Sequence, residues 1–120
     1  MQKYQEIIEE YWDKRESLSP QTSGEIESTV EQVLELLDKG KLRVTTREGA
    51  SWVTHQWIKK AILLSFRLRE CEVGEGTGSD HPSFDKIPLK CSNWTAADFE
   101  VAGFRKVPGS IIRHSAYIAP

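Results

Sequence analysis

The sequence has only two cysteines, Cys71 and Cys91, and they form no CxxC pair. That argues against a disulfide framework and against a cysteine-based zinc site. Long apolar runs are missing too. The stretch Ala61–Leu64 is among the longest, far short of the roughly 20 residues a membrane-spanning helix needs. No apolar leader core follows Met1, and the Arg and Ser bias of a transit peptide is absent, so a cytoplasmic location without membrane association is expected. The three histidines, His55, His81 and His114, are widely separated, and no HExxH, Ser-His-Asp order or paired-carboxylate motif occurs. Neither a metal site nor a self-contained catalytic site is expected. A strong basic patch of the kind nucleic-acid binding requires is also lacking. Asn93-Trp94-Thr95 matches a glycosylation sequon but reads as a chance match without a secretory signal.

What is present is an ordinary soluble composition. With 38% hydrophobic and 28% charged residues over 120 positions, one globular domain is expected. The net charge of −2 conceals an asymmetry: residues 1–40 are strongly acidic, whereas 41–120 carry a basic excess. A solvated acidic helical hairpin accounts for this, and a basic face for an anionic ligand is the sharper alternative.

Periodicity predicts the elements. Tyr4, Ile7, Ile8 and Tyr11, with Trp12 beside them, form one face of a helix that Ser17–Pro20 breaks. A second helix carries Ile26, Val30, Val33, Leu34 and Leu37, with Gly40 as its C-terminal cap. Leu42–Thr46 alternates as a short strand, Glu48-Gly49 turns, and Ser51-Trp52-Val53 returns as the other arm of a hairpin. Thr54 is the expected N-cap of a third helix running to about Leu68. Its buried stripe is read as Trp57, Ile58, Ala61, Ile62 and Ser65, with Leu64 at the margin. Trp12, Trp52, Trp57 and Trp94 are expected as core anchors.

Residues 70–83 are rich in Gly, Ser and acidic side chains and read as an exposed loop. Val73–Ser79 lacks the Lys-Ser/Thr pair of a phosphate loop, and Pro82 stands where a helix would start. Phe84–Lys90 reads as an extended edge segment because of Pro88. Thr95-Ala96-Ala97-Asp98 resembles a capping box that opens a short helix ended by Gly103. Beyond Val107-Pro108-Gly109, Ile112 and Ile118 stand six apart with small residues between them. That spacing suits either an ordinary terminal strand or the first turn of a β-solenoid continuing past Pro120.

One cluster stands out chemically: Gly103-Phe104-Arg105-Lys106-Val107-Pro108, with Arg113 close behind. Three cations at a junction can hold a dianion, and arginine suits carboxylates because its planar fork donates two parallel hydrogen bonds. Solvated linker cations are the bland alternative.

These blocks resemble a known family. Leu36–Val44, Trp52–Arg67, Phe84-Asp85-Lys86-Ile87-Pro88, Gly103–Pro108, Arg113 and Ala116-Tyr117-Ile118-Ala119 together are similar to the amino-terminal region of the bacterial tetrahydrodipicolinate N-succinyltransferases. The resemblance implies an α+β class: a small helical N-terminal domain with short strands, residues 1–107, ending at the start of a left-handed parallel β-helix, residues 108–120. It implies an enzyme that moves succinyl from succinyl-CoA to tetrahydrodipicolinate in lysine and diaminopimelate synthesis, assembled as a homotrimer. It also implies that Arg105 binds the dicarboxylate. Succinyl-CoA is then a co-substrate, with no bound cofactor and no metal. No catalytic residue is expected within these 120 positions, and the chain alone is expected to be inactive. One departure is His114-Ser115, where the family often has a Gly-containing pair. A free-standing, non-catalytic binding or assembly module derived from this domain is the alternative.

Overall fold

The computed structural model describes residues 1–74 and 83–120. Its core is three helices, each packed on the other two: α1 Gln2–Asp13, α2 Glu25–Asp38 and α3 Gln56–Arg67. Ile8, Val33, Ala61 and Leu64 are fully buried where they meet, with Ile26, Val30 and Ile58 next to them. Removing these apolar side chains from water is the main term holding the helices together.

Each helix ends for a local reason. After α1 the chain tightens into a 3-10 turn, Arg15–Ser17, where the Arg15 guanidinium donates to the Trp12 carbonyl at 2.7 Å and lies over its ring. Leu18 then drops into the core. Glu25 and Glu27 occupy the first turn of α2, where negative charge complements the unpaired amides. Beyond its far end Gly40 takes φ +70°, and the amides of Lys41 and Leu42 return to the Leu36 carbonyl, so the chain reverses as expected. Between the helices, Lys60 of α3 pairs with Glu9 of α1.

The described residues contain two antiparallel hairpins. In the first, β1 Thr45–Glu48 pairs with β2 Ser51–Thr54, setting Arg47 opposite Trp52. In the second, β3 Glu72–Gly74 pairs with β4 Ser83–Asp85, setting Val73 opposite Phe84. The short helix α4 Ala96–Ala102 follows. The α+β class is therefore observed. No described helix is long and apolar enough to cross a membrane.

Several expectations shift. The first strand begins at Thr45 rather than Leu42, because Leu42 and Val44 turn to pack on the helical core. Thr54 is consumed by its pairing with Thr45, and His55 becomes the N-cap of α3. The His55 amide donates to the Val44 carbonyl at 2.8 Å, while its ring meets the Thr46 hydroxyl at 2.7 Å. These bonds tie His55 into the junction between the hairpin and α3. Trp52 is not a core anchor; it stands 69% exposed on the hairpin. In α3 the buried stripe is centred on Leu64, while Ile62 is only partly covered. The shoulders of the 70–83 segment form β3 and β4 instead of loop. Its remaining part, 75–82, including His81, Pro82 and most of the Gly-rich stretch, lies outside the described residues.

Residues 108–120 lie back on the domain. Leu89 and Arg113 form an antiparallel bridge, the Lys90 amide donates to the Ile112 carbonyl, and the His114 amide donates to the Pro88 carbonyl. The Tyr117 ring covers Gly40, leaving no room for a Cβ there, and the Arg43 guanidinium lies over the same ring. Ile112, Tyr117 and Ile118 are half-buried, whereas Ile111 is exposed.

Candidate functional site

The cation cluster directly follows α4. Thr95 and Asp98 form the expected capping box: the Thr95 amide donates to the Asp98 carboxylate at 2.6 Å and its hydroxyl at 3.0 Å. Those bonds, the amide first, hold the Asp98 carboxyl below the usual range. Gly103 closes the helix in the left-handed conformation, φ +78°, with its amide on the Phe99 carbonyl at 2.8 Å. No residue of α4 is fully buried. What holds it is a satellite cluster of aromatic rings: Trp94 meets Phe99 edge-on at 5.0 Å, and Phe104 lies 5.7 Å from Trp94 and 6.0 Å from Phe99. These are favourable offset and edge geometries. Trp94 thus anchors this cluster and not the main core.

From Phe104 onward exposure alternates. Phe104 and Lys106 are half-buried, while Arg105 and Val107 are exposed. That is the period of extended chain, which sends successive side chains to opposite faces. Arg105 therefore points away from the aromatic cluster. It takes part in none of the salt bridges among the described residues. Lys106 lines a cleft of about 290 Å³ together with Cys91, Trp94, Phe99 and Ile112. Burial pushes the Cys91 thiol up, and Lys106 and Lys90 only partly offset this.

Arg113 is committed elsewhere. It grips the Asp85 carboxylate through Nε at 3.0 Å and a terminal nitrogen at 2.9 Å, and its guanidinium lies over the Phe66 ring. The three cations grouped by sequence therefore occupy three different environments, and among the described residues Arg105 presents a fork without a salt-bridge partner. A larger concavity of about 760 Å³ lies alongside β3 and β4, but Glu31, Glu70, Glu72 and Asp85 outnumber Arg69 and Lys86 there. Lys86 also spends a donor on the Phe66 carbonyl, so this concavity does not suit a dianion. Among the described residues no group of three His, Cys, Asp or Glu side chains could hold a metal ion.

Sequence reasoning missed Asp38, Lys90 and Tyr117, which fix the chain just beyond the Arg105 segment. The Lys90 ammonium is almost wholly covered and pairs with Asp38 at 2.9 Å. Their separation of 52 residues leaves no local signal.

Residues 3–68 match the family model described as Tetrahydrodipicolinate N-succinyltransferase N-terminal. A protein of Bartonella tribocorum is 50% identical over 115 residues, covering 95% of this chain and 40% of its own length. One from Gluconobacter oxydans is 50% identical over 113 residues, covering 94% of this chain and 41% of its own. One from Allorhizobium ampelinum is 48% identical over 117 residues, covering 97% and 41%. All three are named 2,3,4,5-tetrahydropyridine-2,6-dicarboxylate N-succinyltransferase. The chain thus spans about two fifths of the curated relatives it matches. With the family model covering more than half of the chain, this protein belongs to the tetrahydrodipicolinate N-succinyltransferase family, whose N-terminal domain it carries.

Proposed function

We propose that this domain is the amino-terminal part of an acyltransferase that moves succinyl from succinyl-CoA to an amino group derived from tetrahydrodipicolinate, in lysine and diaminopimelate synthesis. In that transfer the amine nitrogen attacks the thioester carbonyl, the C–S bond breaks, the coenzyme A thiol departs and the nitrogen gives up a proton. Arg105 is the contribution of this chain: it holds one carboxylate of the dicarboxylate acceptor through its planar fork. The observation that carries the reading is an exposed arginine without a salt-bridge partner among the described residues, in a domain whose relatives are named for a dicarboxylate.

The rest of the chemistry belongs outside these residues. Acyl transfer requires the amine, the thioester and an oxyanion-stabilising group to be held together, and this chain offers one substrate contact. The groove for succinyl-CoA and the catalytic groups are assigned to a left-handed parallel β-helix that begins within 108–120, in a cytoplasmic homotrimer. The decisive measurement is thiol release from succinyl-CoA by the longer polypeptide that carries this domain. Release that depends on the dicarboxylate is expected, with none from the 120-residue chain alone. Failure of the longer polypeptide to release thiol would turn the reading toward a non-catalytic assembly module.

A further inference from the structure

The fork of Arg105 is useful only if it is aimed, and among the described residues no salt bridge aims it. An arginine carries several freely rotating bonds, and without such a partner its reach depends on where the backbone starts it. That backbone is fixed from the opposite face. Phe104, the preceding residue, packs its ring against Trp94 at 5.7 Å and Phe99 at 6.0 Å. Just upstream, Gly103 occupies a left-handed conformation, and a Cβ there would come within 3.1 Å of Pro120. The capping box locks the other end of the same unit. The stretch Trp94–Lys106 therefore forms a mount: a capped helix and three rings turned inward, with Arg105 turned outward by strand alternation.

We propose that Phe104, braced by Trp94 and Phe99, is the positioning residue for Arg105, acting through the backbone without touching substrate. The proposal rests on the reading of Arg105 as the carboxylate contact. Its loss leaves the guanidinium present but misdirected, so the penalty falls on capture of the dicarboxylate and spares the thioester.

The test is steady-state kinetics of the longer enzyme with each substrate varied in turn, for Phe104→Leu, Phe104→Tyr, Arg105→Ala and the Phe104→Leu/Arg105→Ala pair. Phe104→Leu should raise KM for the dicarboxylate about tenfold, because misaligned groups lose most of their effect. KM for succinyl-CoA should stay unchanged. Phe104→Tyr, which keeps the ring, should restore most of the loss. In the Arg105→Ala background Phe104→Leu should cost nothing further, as residues acting as a unit are non-additive. Equal losses on both substrates, or an undiminished Phe104→Leu effect without Arg105, would reduce Phe104 to a general packing residue and overturn the proposal. Two failures remain distinguishable. If Arg105→Ala has normal dicarboxylate kinetics, the Arg105 reading falls and positioning falls with it. If Arg105→Ala is impaired but Phe104→Leu is not, positioning alone falls. Should Phe104→Leu fail to fold, Trp94→Phe supports the same comparison, since it removes contact area while keeping a ring.

Discussion

The Ser115 amide donates to Asp38 Oδ1 at 2.9 Å, the same oxygen that the Lys90 ammonium reaches at 2.9 Å. Lys90 donates in addition to the Asp38 carbonyl at the end of α2, where a cation complements the unpaired carbonyls. One carboxylate thereby ties three distant stretches of chain together. Ser115 is held at φ +84°, the only non-glycine residue at positive φ among those described. That conformation suits glycine.

Asp38→Ala should therefore cost about 3 kcal/mol, because it leaves a covered ammonium without its counter-charge. The low end of the usual range applies, since Lys90 keeps the backbone carbonyl. Ser115→Gly should instead gain up to about 1 kcal/mol by relieving the left-handed strain. Urea unfolding of the three proteins checks both signs, and an unaltered midpoint for Asp38→Ala would mean that the pair is solvated.

Leu64→Ala and Leu63→Ala separate the two sides of α3. Leu64 is fully buried among the three helices, and its truncation should cost about 3 kcal/mol through lost transfer energy and a residual cavity. Leu63 is 51% exposed, and its truncation should stay within about 0.5 kcal/mol. Thermal denaturation with the same variant pair distinguishes this arrangement from one centred on Ile62.

The helices were legible because their apolar stripes repeat at helical period and end in recognisable caps at Gly40 and Gly103. The capping box at Thr95 was legible for the same reason: its partners are three residues apart. Misread positions share a different cause. Trp52 has the size of a core residue, yet the register of a two-stranded hairpin leaves it facing solvent. Sequence periodicity alone leaves Leu64 at the margin of the α3 stripe, because only the placement of α1 and α2 decides between Ile62 and Leu64. At the candidate site, Arg105 was visible, but the separation of its neighbours was not. Asp85, which neutralises Arg113, lies 28 residues away in sequence, and no local pattern announces such a pair.

The capping box makes α4 pH-dependent. Asp98 is held below its ordinary value by the Thr95 amide and then the Thr95 hydroxyl. A carboxyl depressed in the folded state contributes stability that is present above its unfolded value and lost as pH falls through the folded one. Protection of the α4 amides, measured as the exchange rate relative to the intrinsic rate at each pH, should accordingly be higher at neutral pH and decline below about pH 4, the ordinary range for aspartate. Asp98→Ala should show the lower protection at both ends. Identical acid profiles for the parent and Asp98→Ala would assign the acid sensitivity to other carboxylates.

The sharpest prediction compares Arg105→Lys with Arg105→Ala in the longer enzyme. If Arg105 holds a carboxylate through two parallel hydrogen bonds, lysine should be nearly as damaging as alanine, because an ammonium cannot reproduce the planar fork. A charge-assisted contact of this kind contributes on the order of 1.5–3 kcal/mol. The corresponding fall in kcat/KM for the dicarboxylate is roughly ten- to a hundredfold or more. KM for succinyl-CoA should hardly move, because the thioester groove is assigned to other residues. Lys106 supplies the internal control. It adjoins Arg105 in sequence but faces the cleft beside Cys91 and Trp94, so Lys106→Ala should leave dicarboxylate kinetics close to normal. A Lys106→Ala enzyme impaired as severely as Arg105→Ala would mean that the inward face also meets substrate. Normal dicarboxylate kinetics in Arg105→Ala would make this arginine a solvated surface cation and leave the domain without a substrate contact of its own.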